Sequence, residues 1–480
     1  MHRTVGDWLA AAARIAFLAL IVFAAAAYGL TRYGPLDGFN NAAFGVFACW
    51  LIGHFVALRL PRTGFLPWLL VGAILLYGWG VTALGYADNW LMEADEEFPE
   101  IYYEIAGWGT FAVRNSVAAM IRTSALLALF LMAIEMFATK RWGRLLLATL
   151  AVTGIGMVVF FYLQRTFGGP FLLRDLTGRI FLNFATYRYW GNGASFLGLL
   201  WPLPAAIAVY AGVRKAFGWS AWMAAALLMF GALYLNKSKA GHVLGIVGLI
   251  LFAGLTITTL WRSGVFRRRQ IRLSVVLVIA LPLLAIALAL YFAVPQKRWE
   301  RLADQGLDRN VRLVAYEHFL DMVPIAGWTG YGPGTFIEVH MDFLKDDPRV
   351  RKEPFWVAHQ DYLQTVIEWG YAGTILWGLL LAPAGVRLLL RSLRRSQNDY
   401  RSSPTYAFGW EDRFAAFAET VPHPRAPLVQ AAAFTAVTIT ALHAAVDFPM
   451  QIASLQFYFL IWIALGWVPA RHWKRDNSED

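Results

Sequence analysis

Residues 357–373 read VAHQDYLQTVIEWGYAG. A histidine, a glutamine and an aspartate stand near the start, after which the segment turns apolar apart from Glu368, with glycines at 370 and 373. The apolar character continues to about residue 386, long enough to cross roughly 30 Å of hydrocarbon, which takes about 20 helical residues. Backbone groups in lipid must be satisfied within their own segment, so the stretch reads as a transmembrane helix with titratable groups at its mouth. Runs of the same kind recur along the whole chain. Of its 480 residues 58% are hydrophobic and only 15% charged, against about 25% charged in soluble domains, and the mean hydropathy is +0.50. The fold class expected is an all-α integral membrane protein. The single Cys49 lies in an apolar run, which excludes a disulfide framework within the chain.

Twelve spans are predicted, at 8–30, 40–58, 65–86, 116–138, 145–163, 191–212, 218–236, 240–260, 273–294, 360–386, 427–446 and 451–470. With the N-terminus in the cytoplasm, the inner connections are 59–64, 139–144, 213–216, 262–272, 387–426 and the tail after Arg471, and every one is basic. RSGVFRRRQIR (262–272) holds five arginines and RLLLRSLRR (387–395) four, whereas the opposite face carries DNWLMEADEEFPE (88–100). The positive-inside rule therefore selects cytoplasmic termini. A net charge of +11 reads as this orientation signal beside anionic lipid, not as a nucleic-acid surface. The first span is expected to be a retained anchor and not a cleaved signal. Between 396 and 426 a polar connection contains EDRFAAFAET (411–420), the pattern of an interfacial helix.

One outer connection breaks the charge rule. Residues 295–359 contain Lys297, Arg298, Arg301, Arg309, Arg312, Lys345, Arg349, Arg351 and Lys352. Within it, GWTGYGPGTF (327–336) is too rich in glycine for helix or strand, and the backbone N–H groups of such a turn, around Gly332 and Gly334, can cradle phosphate. In RNVRLVAYEHFLDM (309–322), Arg309, Arg312, Tyr316 and Leu320 recur at helical spacing, which would aim Arg312 into a cavity. His359 falls at the water–lipid boundary, where an imidazole can take a proton from a hydroxyl. Glu368 lies deeper, where an ionisable group marks a functional or tightly paired position. YRYWGNGASF (187–196) brings Arg188 and Asn192 to the same face, and NKSKAGH (236–242) brings Lys237, Lys239 and His242. These cations suit a diphosphate carried on a lipid and met at the membrane surface. The histidines show no metal-ligand spacing, and neither a metal nor another cofactor is expected.

The order G-x-G-P-G-T-F at 330–336, A-H-Q-D-Y-L-Q-x-x-x-E-x-G-x-x-G at 358–373 and H-A-A-V-D-F-P-M-Q at 443–451 resembles the O-antigen ligase and O-antigen polymerase family of bacterial polysaccharide assembly. The family usually has His-Asn where this chain has His359-Gln360, and Ser-Arg-Gly where it has Ser238-Lys239-Ala240. The resemblance implies a C-type glycosyltransferase bundle of about twelve helices. In it, residues 1–180 form five N-terminal spans with their outer loops, and 181–470 form the ligase/polymerase-like core, with a periplasmic loop at 295–359 and a cytoplasmic loop at 387–426. It implies a metal-independent, inverting transfer from an undecaprenyl-type diphosphate donor at the periplasmic side of the inner membrane. The acceptor would be a further glycan (polymerase, which VDFPMQI favours) or the lipid A-core (ligase), with a flippase and a chain-length regulator as partner proteins. His359 and Arg312 are the catalytic candidates. Arg188, Lys239, Arg309, Gly332 and Gly334 would bind diphosphate, and Gln360, Tyr362, Glu368 and Asp447 would support the site. A transporter or flippase also places charges in such a bundle, but usually at broken helices near the midplane, whereas here the polar groups gather at one face.

Overall fold

The computed structural model describes residues 4–85, 109–167, 184–214, 216, 218–265, 311–344, 355–396 and 420–469. These residues form α1 (Val5–Ala26), α2 (Tyr33–Val56), α3 (Phe65–Ala83), α4 (Val113–Ala138), α5 (Lys140–Phe167), α6 (Trp190–Leu200), α7 (Pro202–Val213), α8 (Trp219–Leu235), α9 (Lys239–Arg262), α10 (Val311–Ala326), α11 (Phe336–Leu344), α12 (Asp361–Ser392), α13 (Pro427–Ala444) and α14 (Ala453–Trp467). Nine helical stretches among them, α6 and α7 counted together, are long and apolar enough to cross a membrane, and α8 and α14 are shorter apolar helices. The expected span at 273–294, Arg309, the cations 345–352 and most of the 396–426 connection lie outside the described residues.

Polar caps and prolines set several helix ends. Thr4 and Asp7 close a reciprocal capping box on α1, with the Asp7 amide 3.2 Å from the Thr4 hydroxyl and the Thr4 amide 3.0 Å from the Asp7 carboxylate. Ser238 caps α9 by accepting from the Gly241 amide at 3.1 Å. The expected span 191–212 is two helices meeting at Trp201, because Pro202 and Pro204 cannot donate into the preceding turn. This pair is the centre of the bundle, 94% buried, whereas the outer α1, α2 and α3 are each under 40% buried and turn their other faces to lipid. α12 runs on to Ser392, so the connection expected from 387 begins one and a half turns later.

Without a hydrophobic drive between helices in lipid, close packing of small residues must hold them together. A Cβ on Gly6 would stand 2.5 Å from the Gly53 carbonyl oxygen, and one on Gly466 would stand 2.6 Å from that of Ala384. Such approaches lock α1 on α2 and α14 on α12. The connection after α9 and before α12 builds a second, smaller core from Val314, Phe319, Met322, Phe336, Val339 and Phe355, sealed onto Leu363 and Ile367.

α12 is not continuous. Gly370 sits at φ 60°, ψ −174°, which interrupts the helix two turns below its start. The freed backbone is clasped by the glycine-rich turn: Tyr331 N–H donates to Ile367 O (3.0 Å) and Gly332 N–H to Glu368 O (2.9 Å). In return Tyr371 N–H donates to Gly327 O (3.0 Å) and Ala372 N–H to Trp328 O (3.2 Å). Only glycine permits this approach, since a Cβ on Gly370 would stand 2.4 Å from Trp328 O and one on Gly330 2.4 Å from Glu368 O. The Tyr77 hydroxyl, from α3, lies 3.1 Å from Trp328 O and 2.9 Å from Trp369 O and pins both segments. Irregular backbone at membrane depth is tolerated where protein satisfies it, and here the partner is the 327–332 turn.

Candidate active site

His359 precedes α12 in a left-handed conformation, φ 54°, uncommon for a residue with a side chain. Gln360 follows as the N-cap, its side chain accepting from the Leu363 amide. Asp361 ties this mouth to the turn before α14 by accepting from Met450 N–H (2.8 Å) and the Gln451 amide group (3.1 Å). That tie brings Asp447 to the imidazole, with His359 Nδ1 3.3 Å from Asp447 Oδ1. Phe448 packs edge-on against the His359 ring at 4.8 Å.

Asp447 is the hub. The Tyr189 hydroxyl donates to its Oδ2 at 3.1 Å, and His443 Nε2, one turn back, is 3.7 Å from the same oxygen. His443 is itself fixed by Ser195 on α6, Oγ to Nδ1 2.7 Å. Space for the carboxylate exists because residue 191 is glycine; a Cβ there would be 2.2 Å from Asp447 Oδ2. Arg312 on α10 reaches the cluster from the outer connection, its guanidinium donating to the Tyr189 hydroxyl at 3.4 Å. One turn along, Tyr316 donates to the His359 carbonyl at 2.7 Å.

Electrostatics follow this geometry. Burial, and then the negative charge of Asp447, raise the pKa of the Tyr189 phenol. Burial pushes the Tyr316 phenol up to about 12, with the nearby Arg312 working in the opposite sense. Burial also disfavours the charge on Arg312, but the Tyr189 hydroxyl and Asp447 outweigh it and hold the guanidinium pKa above its usual value. The guanidinium is thus firmly cationic beside a histidine–carboxylate pair.

The expected residues separate into three sets. His359, Arg312 and Asp447 are brought together. Arg188 is exposed immediately before Tyr189, and Lys237 covers the Trp190 ring at 4.3 Å, which sets the exposed Lys239 at the same end of the bundle. Asn236 fastens that loop by donating to Trp190 O at 3.0 Å. Gly332, Gly334 and Glu368 form another unit: Glu368 accepts from Gly334 N–H (2.9 Å), Phe336 N–H (3.4 Å) and the Gln364 amide group (2.8 Å). The anion cradled by the glycine turn is therefore the protein's own carboxylate, and the Gly332 amide is taken by Glu368 O. This corrects the phosphate-cradle expectation for these two glycines, because their N–H groups already have acceptors. Tyr362 points away, half exposed, and donates to Ala441 O at 2.7 Å. Sequence reasoning assigned no role to Tyr189, Ser195, His443, Asp361 or Arg122. Arg122 on α4 donates to Gln451 O at 3.2 Å and its charge acts on Glu368 and Asp361. An arginine inside an apolar span was the available signal.

The fold and this cluster define a polytopic membrane protein with a histidine–carboxylate–arginine centre at one end of its bundle. The family model described as O-antigen ligase matches residues 224–378. That stretch, about a third of the chain, is similar to the O-antigen ligase family. No curated protein compared with it matches the chain. The matched stretch includes Lys239, Arg312, the glycine turn, His359 and Glu368, whereas Arg188, Tyr189, His443 and Asp447 lie outside it and join the cluster only through the fold.

Proposed function

We propose that this protein transfers glycan from a polyprenyl diphosphate to an acceptor hydroxyl, with the end of the bundle bearing His359 at the periplasmic side and both termini in the cytoplasm. The observation that carries the reading is the His359–Asp447 pair joined through Tyr189 to Arg312. With Nδ1–H directed to Asp447, the Nε2 lone pair faces outward as a base. The acceptor oxygen attacks the anomeric carbon as its proton passes to Nε2, the bond from that carbon to the diphosphate oxygen breaks, and configuration inverts. A positioned base contributes about 10²- to 10⁴-fold. Asp447 stabilises the imidazolium that forms, by the same logic as a hydrolase triad. The diphosphate gains charge as it leaves, so preplaced cations act where charge develops. Arg312 stands at the histidine, and Arg188 and Lys239 extend the positive surface. Glu368, Gln364 and Arg122 support the frame that sets the mouth of α12, without touching substrate.

The reaction needs neither metal nor nucleotide sugar in this reading. As acceptor, a second lipid-linked glycan fits VDFPMQI, which favours a polymerase; transfer to a lipid A-core fits the description of the matched domain. Purified protein reconstituted with polyprenyl-diphosphate oligosaccharide and each acceptor decides it. A ladder of lengthening products marks a polymerase, a single addition to the core a ligase. His359→Ala and Arg312→Ala should each abolish turnover while insertion stays normal. Wild-type turnover in both would refute the assignment.

A further inference from the structure

The end of the bundle opposite His359 holds another polar centre. On α4, Arg122 donates to Gln451 O beside the His359 site, and Glu135 lies thirteen residues further along, about 20 Å away at 1.5 Å per residue. Glu135 is 2% exposed, and its carboxylate receives Arg14 at 3.1 Å, His54 Nε2 at 2.8 Å and the Trp50 indole N–H at 2.5 Å. Beside it a cavity of about 210 Å³ is lined by Glu135, Arg14 and His54 together with Arg59, Arg62 and Asp7. Arg59 contacts Asp7 at 2.7 Å. Three guanidiniums thus face two carboxylates, so the cavity holds a positive surplus even with His54 neutral. Its volume lies below the roughly 300 Å³ at which pockets for drug-sized ligands begin, which suits a small headgroup and not a nucleotide.

The rim says what the anion is attached to. Leu60 lines the cavity and is 91% exposed, and Trp8 and Leu58, next in sequence to the lining residues Asp7 and Arg59, are 59% and 90% exposed. Large apolar side chains beside a cationic recess match a molecule with a charged head and acyl chains, and basic pockets between transmembrane helices bind phospholipid headgroups by this means. Arginine suits the phosphate because its planar fork binds two oxygens at once.

We propose that the cavity between α1, α2 and α4 binds the phosphate of an anionic phospholipid from the leaflet at this end. That the leaflet is the cytoplasmic one rests on the proposed orientation; the binding itself does not, and a measurement in detergent tests it whether or not the transferase reading holds. Delipidated full-length protein is titrated with dioctanoyl-phosphatidylglycerol, zwitterionic dioctanoyl-phosphatidylcholine and inorganic phosphate, with bound stoichiometry read by native mass spectrometry. One phosphatidylglycerol should bind saturably, at least tenfold more tightly than phosphatidylcholine. Arg59→Gln with Arg62→Gln should weaken it at least tenfold, and Arg387→Gln, a basic residue outside this cavity, should leave it unchanged. If the double variant does not fold, Arg62→Gln alone is expected to lose about threefold. Equal binding of the two lipids, or unaltered phosphatidylglycerol binding in the Arg62 variant, overturns the proposal. Inorganic phosphate binding as tightly as phosphatidylglycerol would overturn the lipid assignment and identify a soluble anion as the occupant.

Discussion

Asp447→Asn keeps the shape of the side chain beside His359 and removes its charge. At the 3.3 Å separation of Nδ1 and Oδ1, the attraction between an imidazolium and a carboxylate is about 5 kcal/mol at an effective dielectric near 20. The His359 side chain is 21% exposed, and solvent screening leaves roughly half of that, about 2–3 kcal/mol. If this attraction is made only as the proton arrives, it belongs to the transition state and appears in kcat. A loss of about 30- to 150-fold in kcat is therefore expected, at about 1.4 kcal/mol per tenfold, with donor KM little altered. An asparagine NH₂ turned toward Nδ1 would also reverse the tautomer and deepen the loss. The assay is single-turnover transfer from a synthetic polyprenyl-diphosphate oligosaccharide in proteoliposomes. In an enzyme where the two residues act as a unit, His359→Ala and the His359→Ala/Asp447→Asn double variant have the same residual rate. Multiplying losses, or an Asp447→Asn variant that keeps more than a third of wild-type turnover, would refute the coupling.

Other perturbations have equally definite outcomes. Gly191→Ala drives a methyl into the space of Asp447 Oδ2, so turnover should fall at least tenfold with the protein still folded, as judged by size-exclusion profile and rate together. Gly370→Ala meets both a left-handed φ and the Trp328 carbonyl; it should cost about 2–4 kcal/mol and lower the apparent melting temperature by several degrees. Arg312→Lys keeps charge and loses the fork, and should retain more rate than Arg312→Ala but under a tenth of wild type, measured by the same transfer assay. For pH, the Tyr316 phenol at about 12 and the raised Tyr189 phenol both bind their protons more tightly in the folded state than the ordinary value near 10. Their contribution to stability is complete below about pH 10 and is lost as pH rises toward 12. Denaturation midpoints between pH 9 and 12 should decline less steeply in Tyr316→Phe, and identical slopes would contradict the shift.

The membrane class and most spans were legible because they depend on additive local quantities. Apolar length decides insertion, which needs no partner segment. His359, Arg312 and Asp447 could also be singled out, since polar groups beside apolar helices are few. What each of them touches could not. Asp447 meets His359 because Asp361 accepts from the Met450 backbone and the Gln451 side chain, and Arg312 meets the pair through Tyr189, a residue with no local signal. The glycine turn shows the limit most plainly: composition announces a tight turn with free N–H groups, but whether an outside phosphate or the chain's own Glu368 fills it depends on a helix thirty-four residues further along. Sequence alone determined that this chain spans a membrane and gathers charge at one end, because burial in lipid acts residue by residue. Tertiary structure decided which charges meet, because hydrogen bonds act only over about 3 Å and the residues that share them here come from α6, α10, α12 and the turn before α14.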